Sequence, residues 1–196
     1  PPCFQLESLI ASPSSKNLAL PVVNDDADVL LVYTSGTTGL PKGAVHTQAG
    51  LLANAQASDE AHEFNATDIV LSTLPMFHVG GISAIVAALA CGGSVALFEA
   101  FDTRRFWDFV RETGSTTCSG FIGALTSFLH KEPAQLIDAD NPLRICMLGP
   151  LNEEAVAVAE RFDFDYVSGF NMTEVSTPLV TEINETTLQS CGRPRT

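Results

Sequence analysis

Apolar residues recur along this chain at two periods, and their alternation lays out the elements. Asp28-Val29-Leu30-Leu31-Val32-Tyr33 is a run of strand length rich in branched side chains. Gly43-Ala44-Val45-His46, short and bounded by Gly, predicts a second strand or the lip of a hairpin. Thr47 or Gln48 then opens a helix through Leu51, Leu52, Ala55 and Ala57 towards His62. Thr67 to Ser72 predicts a strand that runs into Leu74-Pro75-Met76-Phe77-His78-Val79-Gly80-Gly81. From Ile82 to Cys91 small and branched apolar residues follow with no polar face, the mark of a buried helix that Gly92-Gly93 stop.

The same alternation continues. Ser94 to Phe98 predicts a strand, and Asp102 or Thr103 caps a helix with Phe106, Phe109, Val110 and Thr113 on one face. A further helix covers about Gly123 to His130, ended by Pro133, and Leu143 to Leu148 predicts a strand into Gly149-Pro150. Asn152 caps a helix whose Ala155, Val158, Ala159 and Phe162 fall at i, i+3, i+4, i+7. Asp165 to Ser168 leads into Gly169-Phe170-Asn171-Met172-Thr173-Glu174. Strands alternating with helices predict an α/β fold of layered sheets with helices on their faces. Residues 1–27 are Pro/Ser-rich and weakly patterned, an irregular lead-in to a core over 28–196.

Composition narrows the partners. The 196 residues carry 23 acidic and 10 basic side chains, a formal net charge of −13. Such a surface repels nucleic acid and anionic membrane. The longest apolar run, Val79 to Cys91, is too short to span a bilayer, and no signal peptide is visible. Five scattered cysteines, with no Cys-x-x-Cys and no Cys/His cluster, argue against a disulfide framework or a zinc site and fit a reduced cytoplasm.

The chemistry centres on the segment between the first two strands, Thr34-Ser35-Gly36-Thr37-Thr38-Gly39-Leu40-Pro41-Lys42-Gly43. Gly permits close backbone approach, so successive amides can line a concavity, with hydroxyl donors and one mobile cation beside them. These parts suit a polyphosphate. A Walker loop would need Gly-Lys-Ser/Thr opening a helix, and Pro41 before Lys42 with Gly43-Ala44-Val45 after it cannot open one.

From Tyr33 to Gly43 the order of residues resembles, position by position, the phosphate-binding signature of the adenylate-forming (AMP-binding) superfamily, which includes acyl- and aryl-CoA synthetases, peptide-synthetase adenylation domains and beetle luciferases. The resemblance implies that Thr34, Ser35, Gly36, Thr37, Thr38, Gly39 and Lys42 handle the ATP phosphates. Leu-Pro-x-Phe-His-x-Gly-Gly is similar to the acid-binding motif of the acyl- and aryl-CoA synthetases, which implies acyl contacts from Phe77, His78, Val79 and Gly80. Amino-acid-activating relatives carry Asp where this chain has His78, so an α-amino acid substrate is not expected. Without that resemblance, His78 reads as a hydrogen-bonded core residue.

Gly169 to Glu174 resembles the family's Tyr-Gly-Met-Thr-Glu, with Phe170 for Tyr and Asn171 for Gly. By resemblance Phe170, Asn171, Met172 and Thr173 contact AMP, and Glu174 binds Mg²⁺. Asn tolerates the left-handed region, so a turn requiring it could survive the exchange. Gly149 and Pro150 sit where relatives carry a loosely similar backbone wall against adenine.

The resemblance runs from about Asp28 to Thr196 and implies a partial two-lobed N-terminal core of an acyl-CoA synthetase-like fold. It further implies a piece of a larger acid–thiol ligase, without the ribose-gripping Asp or the catalytic-lysine domain, and weak or inactive alone. ATP, Mg²⁺, CoA and a small carboxylic acid are the implied cofactors and partners, with Lys42, His78, Thr173 and Glu174 as the catalytic set. A catalytically silent nucleotide- or acyl-binding module, or a luciferase-like oxidoreductase, are the alternatives.

Overall fold

A computed structural model describes residues 22–35, 39–98 and 101–195. Its body is a parallel sheet of β3 (Ile69–Ser72), β4 (Ser94–Leu97), β5 (Thr117–Ile122), β6 (Ile145–Gly149) and β7 (Asp165–Val167), in spatial order β4-β3-β5-β6-β7. Helices α2 (Val79–Ala90), α3 (Thr103–Thr113), α4 (Ala124–Lys131) and α5 (Glu153–Phe162) form the crossovers. Successive residues of a strand face opposite ways, and the sheet uses both faces. Val70 packs with Ala84 and Ala88 of α2, while its neighbour Leu71 joins the larger core of Phe106, Phe121, Leu148 and Phe162. The predicted α/β layering is what the chain forms.

The caps follow the sequence. Asp102 accepts from the Arg104 amide at 3.0 Å, and Asn152 from the Ala155 amide at 2.9 Å. In α3, Phe106 and Val110 are fully buried; Trp107 stacks on Phe162 of α5 with ring centroids 3.8 Å apart. The sheet's other end is held by a buried ion pair. Arg144, just before β6, reaches Asp68, just before β3, at 2.6 Å, and its guanidinium also donates to the carbonyls of His62 and Glu63. Burial raises the Asp68 pKa, but bonds from Arg144, Thr116 and Asn65 outweigh it and hold the carboxyl below its ordinary value.

Two small antiparallel sheets flank this body. One is the hairpin of β1 (Asp28–Thr34) and β2 (Lys42–Thr47), which leads into α1 (Gln48–His62). Thr47 caps α1, its hydroxyl accepting from the Gly50 amide at 3.2 Å, and α1 packs on α2. The other orders β10 (Arg193–Pro194), β9 (Ser176–Val180) and β8 (Gly169–Met172).

Several boundaries depart from expectation. Helix α2 starts at Val79 rather than Ile82, because the His78 ring caps it. Leu143 and Arg144 lie outside β6, where Arg144 is taken up by its ion pair. Strand β5 was not predicted: Thr117-Cys118-Ser119-Gly120 has no alternation, since the strand is buried on both faces. Strands β9 and β10 escaped as well, with Pro178 and Pro194 inside them.

Candidate functional site

In open α/β sheets, ligands bind beyond the carboxyl ends of the strands where the chain reverses its order of addition. Here β4 is added on one side of β3 and β5 on the other, so the reversal lies between β3 and β5. The segment Thr73 to His78 leaves β3 at that point. Thr73 ties it to β5 by donating to the Gly120 carbonyl at 2.9 Å. Gly81 lets α2 begin directly beneath: a side chain there would run into the carbonyl oxygens of Leu74 and Pro75.

His78 is exposed and not a core residue, which corrects the plainer reading of it. Its Nδ1 accepts from the Gly80 amide at 3.0 Å, which makes it the cap of α2 and leaves the proton of the neutral ring on Nε2. Beside it Phe77 is 83% exposed, a large apolar ring at the strand end with nothing packed over it. Val79 is buried and holds the start of α2 to the body. Gly149 and Pro150 occupy the same edge two strands over, after β6, where the Gly149 carbonyl accepts from the Gly123 amide at 2.6 Å.

The candidate phosphate segment joins β1 to β2. Thr34 pairs with Lys42 in register, and its hydroxyl donates to the Lys42 carbonyl at 3.4 Å. Ser35, Gly39 and Lys42 are all exposed. Lys42 opens a strand rather than a helix, in line with the rejection of a Walker loop. Gly36, Thr37 and Thr38 lie outside the described residues.

The third group sits on the β8–β9 turn. Phe170, 41% exposed, lies on β8 immediately after the body's last strand, β7. Asn171 takes an extended conformation and not the left-handed one anticipated for it; the positive φ of this turn, 57°, is at Ser176. Asn171 instead donates to the Thr177 hydroxyl at 2.7 Å across the pair of strands. Met172 is exposed and Thr173 half-buried, and the Val175 amide closes the turn on the Met172 carbonyl at 3.3 Å.

Glu174, exposed at the tip, forms none of the ion pairs or side-chain hydrogen bonds found among the described residues. No group of three metal-ligating side chains occurs among those residues either. One free carboxylate fits Mg²⁺ that arrives with a nucleotide, because that ion takes one or two carboxylates and fills its shell with phosphate oxygens and water.

Glu174 also opens into a cleft of about 600 Å³ between β2–α1 and the β8–β9 turn. Its walls include His46, Asn54, Gln56, Thr177 and Arg195, none of which the sequence reading singled out. Their signal in the sequence is faint: Asn54 stands beside Ala55 among the buried residues of α1, outside the apolar positions Leu51, Leu52, Ala55 and Ala57. Of the predicted site residues, only Glu174 lines this cleft. The others divide between the hairpin tip, the sheet's carboxyl edge and the same turn.

Comparison with known proteins places these features in a family. The family model described as AMP-binding enzyme matches residues 4–196. Sulfoacetate–CoA ligase of Cupriavidus necator is 33% identical over 198 residues, covering 95% of this chain and 38% of that protein. 2-Succinylbenzoate–CoA ligase of Enterococcus faecalis is 29% identical, covering 76% of this chain and 31% of that protein. In fold the chain is similar to the N-terminal domain of FACL13 from Mycobacterium tuberculosis, with TM-score 0.81, 24% identity, and coverage of 96% here and 48% there. It is also similar to O-succinylbenzoate coenzyme A synthetase from Bacillus subtilis in complex with ATP and magnesium, with TM-score 0.78, 24% identity, and coverage of 96% here and 40% there. The chain thus spans less than half the length of each of these proteins. With a family model matching nearly its whole length and a switch-point edge bearing the motif residues, this chain belongs to the AMP-binding enzymes.

Proposed function

We propose that this chain carries the nucleotide and acid sites of an ATP-dependent acid–thiol ligase, with residues 28–196 as its adenylate-forming core. The observation that carries the reading is topological. His78 and Gly149-Pro150 leave the carboxyl ends of β3 and β6, so two separate sequence motifs lie at one end of one sheet, and Phe170 to Glu174 follow its last strand, β7, on the small antiparallel sheet. The complete reaction is proposed for a polypeptide that adds the further length found in the relatives.

In that reaction a substrate carboxylate oxygen attacks the α-phosphorus of ATP, and pyrophosphate leaves with the electron pair of the broken P–O bond. The sulfur of CoA then attacks the acyl carbon, giving the thioester and AMP. Two anions must meet, so the site has to spread phosphate charge and align the acid. Lys42, Thr34, Ser35 and the intervening loop hold the β- and γ-phosphates, Thr173 the α-phosphate, and the exposed Phe170 ring stacks on adenine. Mg²⁺, when bound at Glu174, neutralises phosphate charge. His78, its Nδ1 occupied by the α2 amide, presents Nε2–H beside the carboxylate. No Asp stands there to pair with an ammonium group, so the acid is an aliphatic or aryl one rather than an α-amino acid.

The compartment proposed is the cytoplasm. The described cysteines are unpaired, and no helix among the described residues is long and apolar enough to cross a membrane.

Calorimetry of the 196-residue chain with MgATP tests the reading. Binding should be weak, roughly millimolar, and Lys42→Ala and Glu174→Gln should each weaken it about tenfold. A folded chain that binds no nucleotide, or variants that bind as the parent does, would overturn it.

A further inference from the structure

The turn that carries Thr173 and Glu174 has an irregular root. Phe170 pairs with Leu179 and Met172 with Ser176, so β9 has one residue more than β8 between these pairs. Asn171 therefore faces both Thr177 and Pro178 across a β-bulge, a device that bends its strand and re-aims the side chains beyond it. Next to the bulge, Ser176 has a φ of 57°, in the left-handed region that non-Gly residues seldom adopt. Below the bulge the strands are locked. The Ser168 amide donates to the Thr181 hydroxyl and the Thr181 amide to the Ser168 carbonyl, both at 2.8 Å. Above it, the Val175 amide reaches the Met172 carbonyl at only 3.3 Å.

Pro178 has no N–H, so one of the two bulged residues cannot donate to β8. Side chains bridge the gap instead, Asn171 Nδ2 donating to the Thr177 hydroxyl at 2.7 Å. Turning the amide over keeps the bond, because a hydroxyl can give as well as accept. Asn171 is exposed and Thr177 half-buried, so this bond adds little to stability. Its consequence is an angle. Glu174 lies three residues beyond Asn171, at most about 10 Å along the chain, so a tilt of about 10° at the bulge displaces its carboxylate by about 2 Å. Mg²⁺ demands near-ideal octahedral geometry, and a site must hold its groups within about 0.5 Å.

We propose that Asn171 and Thr177 are positioning residues, whose side-chain bond fixes the bulged root of the β8–β9 turn and so sets where Glu174 presents its carboxylate to nucleotide-bound Mg²⁺. The proposal rests on the reading above, in which Glu174 meets the metal that arrives with ATP. It also gives Asn171 a part that the resemblance did not imply, since its amide is turned to β9 and not to a nucleotide.

The test titrates MgATP, and ATP with excess EDTA, into the 196-residue chain and its variants, and reads the ratio of the two affinities. The parent should prefer MgATP by about tenfold. Asn171→Ala and Thr177→Val should each bring that ratio to within about threefold. Neither changes a charge, so the affinity for metal-free ATP should hold. Thr177→Ser keeps the hydroxyl and should keep the parent's ratio. Added to Glu174→Gln, Asn171→Ala should change nothing further, because no carboxylate is left to position. An unchanged ratio, or a loss shared equally by the two nucleotides, would make the bond merely structural, overturning this proposal and leaving the ligase reading standing. Asn171→Ala and Thr177→Val remove the same bond, so if one fails to fold the other decides; if neither folds, the bond is architectural and the proposal falls. A parent chain that binds ATP without preferring MgATP would take Glu174 from the metal and this proposal with it. Binding of neither nucleotide would overturn the ligase reading as well.

Discussion

Strands β1 and β6 are both short apolar runs, yet the fold treats them differently. In β6, Ile145, Cys146 and Leu148 are at most 2% exposed, covered on both faces and flanked by strands on both edges. In β1, Leu31 is 51% and Tyr33 68% exposed, and only Val32 is buried. Strand β6 belongs to a five-stranded body with a core on each face; β1 belongs to a two-stranded hairpin, which is marginal by itself. Candidate chemistry follows the second region. Lys42, Phe170 and Glu174 all sit on the flanking hairpins, and the body contributes mainly the edge from which His78 and Gly149 emerge. Burial and candidate chemistry are thus divided between regions, as expected where binding groups sit on segments that a rigid scaffold positions.

The division is most easily broken in the core. Phe121 is fully buried among Phe106 and Phe164. Phe121→Ala should cost about 3–5 kcal/mol of unfolding free energy, read from denaturant midpoints. Tyr33→Ala, in the exposed hairpin, should stay within about 0.5 kcal/mol. Equal losses from the two substitutions would refute the contrast.

A slightly smaller effect should appear with pH at the junction of the two regions. His62 ends α1, is 1% exposed, and leans on Phe64 with ring centroids 4.7 Å apart. Burial lowers its pKa, a bond to the Ser58 carbonyl opposes this, and the nearby Arg144 and Arg195 lower it further, to about 4. The unfolded chain takes up this proton near pH 6.5, so between 6.5 and 4 the unfolded state binds more protons than the folded one. Stability is then complete above about pH 6.5 and falls on acidification, by about 3 kcal/mol at pH 4. Asp68 adds its own loss only lower, below its unfolded value near 3.9, because its folded pKa is depressed. Urea midpoints should fall between pH 7 and 4.5, and His62→Leu should flatten that slope. A flat profile in the parent protein would show that His62 is not held neutral.

Legibility in the sequence followed the same line. Helices α3 and α5 could be read because their apolar stripes recur at helical spacing and a capping side chain marks each start. Strand β5 could not, because Ser119 and Gly120 sit in a run buried on both sides and break the apolar signal. The motif stretches were legible as chemistry but not as geometry. Nothing local distinguishes an extended Asn171 from a left-handed one; its cross-strand bond to Thr177 decides the matter. The cleft was illegible for a related reason. His46, Asn54 and Thr177 come from three elements, and no spacing along the chain joins them.

The smallest stability effect should come from the residue expected to matter most for binding. Glu174 stands at the tip of the β8–β9 turn, and the backbone bond from Val175 to Met172 closes that turn without it. Glu174→Gln therefore removes a charge and no native partner, and its unfolding free energy should match the parent's within about 0.5 kcal/mol. The same change takes from Mg²⁺ the one carboxylate this turn offers, and a neutral amide is a poorer ligand for a hard cation. MgATP affinity should fall while the affinity for metal-free AMP holds, since in the proposed reading AMP meets Phe170 and Thr173 rather than the ion. Titrations of both nucleotides with both proteins, beside a denaturation curve for each, separate the cases. If Glu174→Gln weakened AMP as much as MgATP, or lowered stability by more than about 1 kcal/mol, Glu174 would be part of the turn's architecture and the metal would have to sit elsewhere.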